Sequence, residues 1–154
     1  MMPQFAIWQF FHLIALFYWI GGLVFLGFYL LPRWTRQEHR AESWLLLQQA
    51  IQAFSLGGIF AALLLLLSGY AMVMSIGGFA RLGPAVWIMV VLGTIAALGA
   101  FHLNFAPMKR LRRALNGQDW AGAAKALASY GRFARFLAAI ALILTFVGVL
   151  GVYL

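Results

Sequence analysis

Four long apolar stretches alternate with two clusters of basic residues, and this pattern restricts the chain to a membrane-spanning fold. Of the eleven Lys and Arg residues, Arg81 lies apart and the other ten lie in the two clusters, which follow the first and the third stretch. They are Arg33, Arg36, Arg40, Lys109, Arg110, Arg112, Arg113, Lys125, Arg132 and Arg135. Short loops rich in Lys and Arg stay on the cytoplasmic side. We therefore expect four passes with both termini outside, most simply in a bacterial inner membrane.

Composition supports a membrane protein independently of the charge pattern. Hydrophobic residues make up 65% of the chain and charged residues 9%, whereas about a quarter of the residues in a soluble domain are charged. The net charge of +8 lies in loops beside apolar spans, so we assign it to anionic lipid headgroups on the cytoplasmic face and not to nucleic acid. The absence of cysteine excludes disulfides and thiolate metal sites.

The predicted fold is all-α, a bundle of four transmembrane helices in a single membrane domain, because lipid admits only helices or closed barrels as spanning forms. A span of about 20 residues is enough to cross the hydrocarbon core. The approximate spans are residues 5–31, 44–75, 84–106 and 133–153, and the predicted cytoplasmic loops are residues 32–43 and 107–132.

Local signals refine the boundaries of the third and fourth helices. Pro84 is suited to a first helical position, and Pro107 is expected to bend or interrupt the third helix. Gly117 has the character of a C-terminal stop, and Asp119 that of an N-cap. From Trp120, the sequence allows either a separate surface helix or one long helix to the C-terminus.

Two histidines, His12 and His102, lie within the predicted spans, where ionisable residues are costly and are functional candidates. At a rise of 1.5 Å per residue, His12 lies about 10 Å below the outer end of the first span, and His102 lies about 27 Å below the outer end of the third span. Two axial nitrogens on one iron are only about 4 Å apart, given metal–nitrogen bonds near 2 Å. We therefore predict two separate sites. His39 is expected to be a solvated loop residue.

The outer site would be centred on His12 together with methionines of similar depth, namely Met72, Met74 and Met89. A histidine with thioether sulfurs suits Cu(I), and Met with His also ligates heme. The alternative is that these methionines are packing residues and that the histidine bonds only to a carbonyl or a water.

The inner site would be centred on His102, with Gln52 at similar depth and three arginines near the boundary, Arg33, Arg132 and Arg135. The arginines suit an anionic ligand such as a propionate. They could equally be snorkelling side chains. No carboxylate lies in any span, and no nucleotide-binding or nucleophile motif is present, so any chemistry would come from a bound metal or cofactor. Whether the chain is an enzyme stays open.

Several of these residues resemble a known family. His12, Trp19 and the Leu31-Pro32-Arg33 element, then Trp87, His102 and the Arg132/Arg135 pair, resemble the HemJ-type protoporphyrinogen oxidases and the wider group of CopD-like membrane proteins. The resemblance implies heme b or a porphyrin near His12 or His102, or copper handling in the membrane. HemJ-type enzymes carry a lysine soon after the third-helix tryptophan, and here the third span has none. Met89 lies near that position and would add a soft ligand.

Three functional hypotheses follow from the sequence. The first is a small inner-membrane protein that binds copper or heme, in copper homeostasis. The second is a heme b or porphyrin redox protein related to the HemJ-type oxidases. The third is a noncatalytic accessory subunit or assembly factor, which would contact its own copies or a larger membrane complex through patches of small residues.

Overall fold

The computed structural model describes residues 3–35 and 40–151, which form four long helices and contain no strand. The helices are α1 (Pro3–Trp34), α2 (Ala41–Ser75), α3 (Pro84–Asn116) and α4 (Trp120–Leu150). Each is long and apolar enough to cross a membrane. The predicted all-α fold with four membrane helices is therefore confirmed. Arg36 and His39 of the first predicted loop, and the predicted end of the fourth span at residue 153, lie outside the described residues.

The helices form a ring in which neighbours in sequence are neighbours in space, and α4 closes the ring against α1. One end of the bundle carries the loop of residues 76–83, and we call it the loop end. This loop turns through Gly77 and Gly78, which both have positive φ angles, a conformation that glycine adopts at least cost. The other end carries the turn between α3 and α4, and we call it the hairpin end.

The predicted signals at the ends of α3 and α4 agree with the structure, apart from Pro107. Helix α3 begins at Pro84, and α4 begins after Asp119, whose carboxylate accepts a hydrogen bond from the Gly122 amide at 2.8 Å. Pro107 does not interrupt α3, which continues to Asn116. The open question about α4 is also resolved, because it is one helix from Trp120 to Leu150.

Packing along α3 and α4 changes at the level of residues 105 and 134. We call residues 84–105 and 134–150 the apolar section and residues 106–133 the basic hairpin. The buried residues of the apolar section are mostly alanine: Ala96, Ala97, Ala100, Leu103, Ala134, Leu137, Ala138, Ala141 and Leu144. Those of the basic hairpin are mostly larger: Pro107, Met108, Leu111, Leu115, Ala123, Ala126, Leu127, Tyr130 and Gly131.

Helix α1 contains a π-helical segment, Phe25–Leu30, where it approaches α4. The Leu31 amide donates to the Leu26 carbonyl, five residues earlier, and Pro32 has no amide hydrogen to continue the pattern. Gly27 in this segment is buried, and a Cβ added there would lie 2.9 Å from Arg135 Cγ and 3.1 Å from the Arg135 backbone nitrogen. The glycine therefore permits close contact between α1 and α4.

Candidate functional site

His12 of α1 is held by a buried serine of α2. Its Nδ1 lies 3.0 Å from the Ser68 hydroxyl oxygen, and Ser68 is fully buried. A Cβ added at Gly69 would lie 3.4 Å from His12 Cε1, so the ring packs directly on the α2 backbone at that glycine. The small pair Ser68-Gly69 thus gives the imidazole both a hydrogen-bond partner and the space to approach.

Ser68 has backbone partners as well as the imidazole, because its hydroxyl also lies within hydrogen-bond distance of the Leu64 and Leu65 carbonyls. When the hydroxyl donates to one of these carbonyls, its oxygen can accept from His12 only in the tautomer that carries the hydrogen on Nδ1. In that tautomer of the neutral imidazole the lone pair is on Nε2. A histidine that ligates a metal through one nitrogen usually donates from the other nitrogen in this way.

The three predicted methionines occupy different positions relative to His12. Met72 is partly buried and lies one turn beyond Ser68 on α2, so the two residues share a helix face. Met74 is 66% exposed. The thioether of Met89 packs against Gly148 of α4, where an added Cβ would lie 2.8 Å from its sulfur. Of the three methionines, Met72 is therefore the one on the α2 face that contacts His12.

His102 lies in a different part of the bundle. Its side chain is exposed, and its ring centroid is 5.1 Å from that of Phe133 on α4. Phe133 belongs to the basic hairpin, whereas the serine bound to His12 is seven residues from the loop-end terminus of α2. Among the described residues, no group of three His, Asp or Glu side chains could hold a metal ion. A metal at His12 would therefore need other kinds of ligand, such as a thioether or the nitrogens of a porphyrin.

The predicted inner arginines are divided between two surfaces. Arg132 and Arg135 line a cleft of about 180 Å³ between α1 and α4, beside Leu31, Pro32 and Thr35. The Arg33 guanidinium carbon instead lies 5.9 Å from the centroid of the Tyr29 ring. Gln52 lines a separate groove between α2 and α3. His102 lines neither cavity, so the structure does not bring the predicted inner residues together.

Sequence reasoning missed the hydroxyl groups that organise the interior. The Ser55 and Tyr130 hydroxyls lie 2.8 Å apart, and both residues are buried. Ser68, the partner of His12, is not among the candidate site residues predicted from the sequence. Hydroxyl residues inside apolar runs are a detectable signal, because each must find a partner when it is buried, but the sequence does not show which partner.

Comparisons with known proteins do not assign this chain to a family. Comparison of the chain with protein-family models, with curated proteins and with solved structures finds no match.

Proposed function

We propose that this chain is an integral membrane protein that binds copper through His12, with Met72 as a further ligand, in copper homeostasis. The observation that carries the proposal is the hydrogen bond between His12 Nδ1 and the Ser68 hydroxyl. It restrains the ring through Nδ1, and we therefore assign the metal to Nε2. An intramembrane histidine restrained in this way is a functional candidate on physical grounds alone.

The geometry of the helices supports Met72 as the partner. Helical side chains lean toward the N-terminus of their own helix. Helices α1 and α2 are antiparallel, as the contacts of His12 with Ser68 and of Tyr18 with Phe54 require. The side chain of His12 therefore leans toward the loop end. The side chain of Met72 leans toward the hairpin end and so toward His12. Imidazole and thioether form a soft ligand set that suits Cu(I).

Heme is the second candidate for the same nitrogen. Histidine with methionine is also an axial pair for heme iron, and the resemblance to the HemJ-type oxidases implies heme near His12. On either proposal the ligating atom would be Nε2 of His12. On this alternative the chain would be a heme b or porphyrin redox protein, and the heme would supply the electron-transfer chemistry.

Two matched pairs of variants test the site in detergent-purified protein. His12→Ala is compared with His102→Ala, and Met72→Leu with Met74→Leu, because Met74 is mostly exposed. We expect metal analysis after Cu(I) loading to show copper in the wild type and in both controls, with strong loss in His12→Ala and Met72→Leu. An absorption spectrum recorded on the same samples separates copper from heme, since only heme gives a Soret band.

Equal copper in wild type and His12→Ala would overturn the copper proposal. A Soret band that disappears in His12→Ala would establish the heme alternative instead. A protein that takes up neither copper nor supplied heme, and that co-purifies with a stoichiometric partner, would favour the third hypothesis, an accessory subunit of a larger membrane complex.

The same proposal includes an orientation, with the hairpin end in the cytoplasm of a bacterial cell and both termini outside. The charge distribution supports it, because the loop end carries only Arg81 among the described basic residues and basic loops stay inside. The sequence contains no cysteine, so single-cysteine variants need no prior substitutions. We expect an impermeant maleimide to label Ala80→Cys, but not Ala121→Cys, in intact cells, and the reverse pattern would overturn the orientation.

A further inference from the structure

A second feature of the hairpin end has no role in the His12 site. Helices α2 and α3 leave between them a groove of about 510 Å³, lined by Gln52, Phe105, Met108, Lys109, Arg112 and Arg113 together with Asn116. No acidic side chain lines it. It is the larger of the two clefts described at this end and has three basic residues, against two in the cleft between α1 and α4.

The lining from α3 follows one face of the helix. Phe105, Lys109, Arg112 and Asn116 are spaced by four, three and four residues, so they form a continuous row along that face. Phe105 is 69% exposed, and Lys109 and Arg112 are also exposed. The row therefore changes from apolar to cationic within about one helical turn, or roughly 6 Å.

The depth of this change matches the boundary of a bilayer. From Pro84 to Phe105, helix α3 rises about 32 Å at 1.5 Å per residue, which is close to the roughly 30 Å thickness of the hydrocarbon core. Lys109, Arg112 and Arg113 then lie about 6 to 12 Å beyond Phe105. This is the layer that contains lipid phosphates, and the apolar side chain lies where acyl chains begin.

We propose that the groove between α2 and α3 is a binding site for one anionic phospholipid. The phosphate lies between Lys109, Arg112 and Arg113, where guanidinium groups can donate paired hydrogen bonds to its oxygens. The Gln52 amide on α2 donates to a headgroup or ester oxygen, and an acyl chain lies along Phe105. Basic pockets between membrane helices are suited to such headgroups. This site is specific and stoichiometric, unlike a general attraction of basic loops to a charged surface.

Native mass spectrometry of the protein with added phosphatidylglycerol or phosphatidylcholine tests the site. Arg112→Gln/Arg113→Gln removes two charges from the groove, and Arg132→Gln/Arg135→Gln is the matched control, which removes two charges from the other cleft. We expect one tightly retained phosphatidylglycerol in the wild type and the control. Binding should be roughly 30-fold weaker in the groove variant, since each of the two basic residues contributes about 1 kcal/mol near an anionic surface and about 1.4 kcal/mol corresponds to a factor of ten. Circular dichroism checks that both variants remain helical.

Equal weakening in the two double variants would overturn the site, because it would show that only total charge matters. Equal retention of phosphatidylcholine would also overturn it. Inorganic phosphate and Phe105→Ala distinguish a lipid from a free anion. If excess phosphate displaces the lipid fully and Phe105→Ala leaves lipid binding unchanged, the groove is a simple phosphate site. Loss of lipid affinity in Phe105→Ala with little competition from phosphate supports the phospholipid.

Discussion

Helix α3 buries Ala96, Ala97 and Ala100 in the apolar section, but Met108, Leu111 and Leu115 in the basic hairpin. The outer surface changes in the opposite sense. In the apolar section, Ile143 is 60% and Phe146 is 64% exposed. In the basic hairpin, α3 and α4 expose mainly charged side chains: Lys109, Arg110, Arg112, Arg113, Lys125 and Arg132. A single helix therefore has two kinds of core.

The difference agrees with the solvent that the charge pattern predicts for each region. In lipid, a large apolar side chain gains nothing by moving inward, so helices associate through small residues that allow close van der Waals contact. In water, burial of apolar area stabilises packing, at about 25 cal/mol per Å², and charged groups stay outside. The basic hairpin thus packs as a water-soluble helical hairpin would, and the apolar section packs as a membrane bundle.

The largest expected difference between the regions comes from truncating a leucine on α4. Leu127 is fully buried in the basic hairpin, whereas Leu142 in the apolar section is 51% exposed. Leu127→Ala should lower the free energy of unfolding by about 2–5 kcal/mol, and Leu142→Ala should change it by about 0.5 kcal/mol or less. Thermal unfolding in detergent, followed by circular dichroism, measures both. Equal losses would contradict the comparison.

Replacing a buried alanine by a larger residue tests the close packing of the apolar section. Ala138 is fully buried and its neighbour Ala139 is exposed. Ala138→Leu should destabilise the bundle by about 1–3 kcal/mol, because the added carbons have no space, while Ala139→Leu should be tolerated in lipid or detergent. The same unfolding assay is used. If Ala138→Leu were neutral, close packing of small residues would not hold this region together.

The cap of α4 tests whether the basic hairpin behaves as a helix terminus in water. Asp119→Ala removes the acceptor for the Gly122 amide and should cost about 1 kcal/mol. Asp119→Asn is the matched control, since asparagine is an equally good N-cap. Identical stability of the alanine and asparagine variants would indicate that the cap contributes nothing here.

The smallest expected effect is at the junction of the two regions, where Ser55 bonds to Tyr130. A double-mutant cycle with Ser55→Ala and Tyr130→Phe should give a coupling of about 0.6 kcal/mol, the average for side-chain hydrogen bonds between membrane helices. A larger coupling would place this pair in a drier and more tightly packed interior than the rest of the bundle. Strictly additive losses would show that the bond contributes no stability.

Features that depend on residues close together along the chain were predicted from the sequence. Pro84 and Asp119 lie where helix-start chemistry predicts, and Gly117 follows the end of α3. Pro107 does not interrupt α3, which continues through it, and the residue is buried within the bundle. Packing against other helices can compensate for the hydrogen bond that proline removes.

The candidate site was predicted only in part. His12 was selected because an imidazole in an apolar span is costly, but Ser68, which holds it, was not predicted as its partner. The sequence places three methionines, Met72, Met74 and Met89, at a depth similar to that of His12. The structure distinguishes them by the helix face on which each lies. The arginines predicted for one pocket are divided between a cleft, which Arg132 and Arg135 line, and the surface beside Tyr29.

By itself, the sequence determined four apolar helices, the concentration of charge at one end of the bundle, the residues that start α3 and α4 and the residue that ends α3. These properties are set by hydropathy and by chemistry within a few residues along the chain. Only the tertiary structure decided which helices are neighbours, which hydroxyl contacts His12 and which methionine lies on the helix face that contacts it. The rotation of each helix about its own axis fixes these features, and that rotation depends on packing between residues distant in the chain.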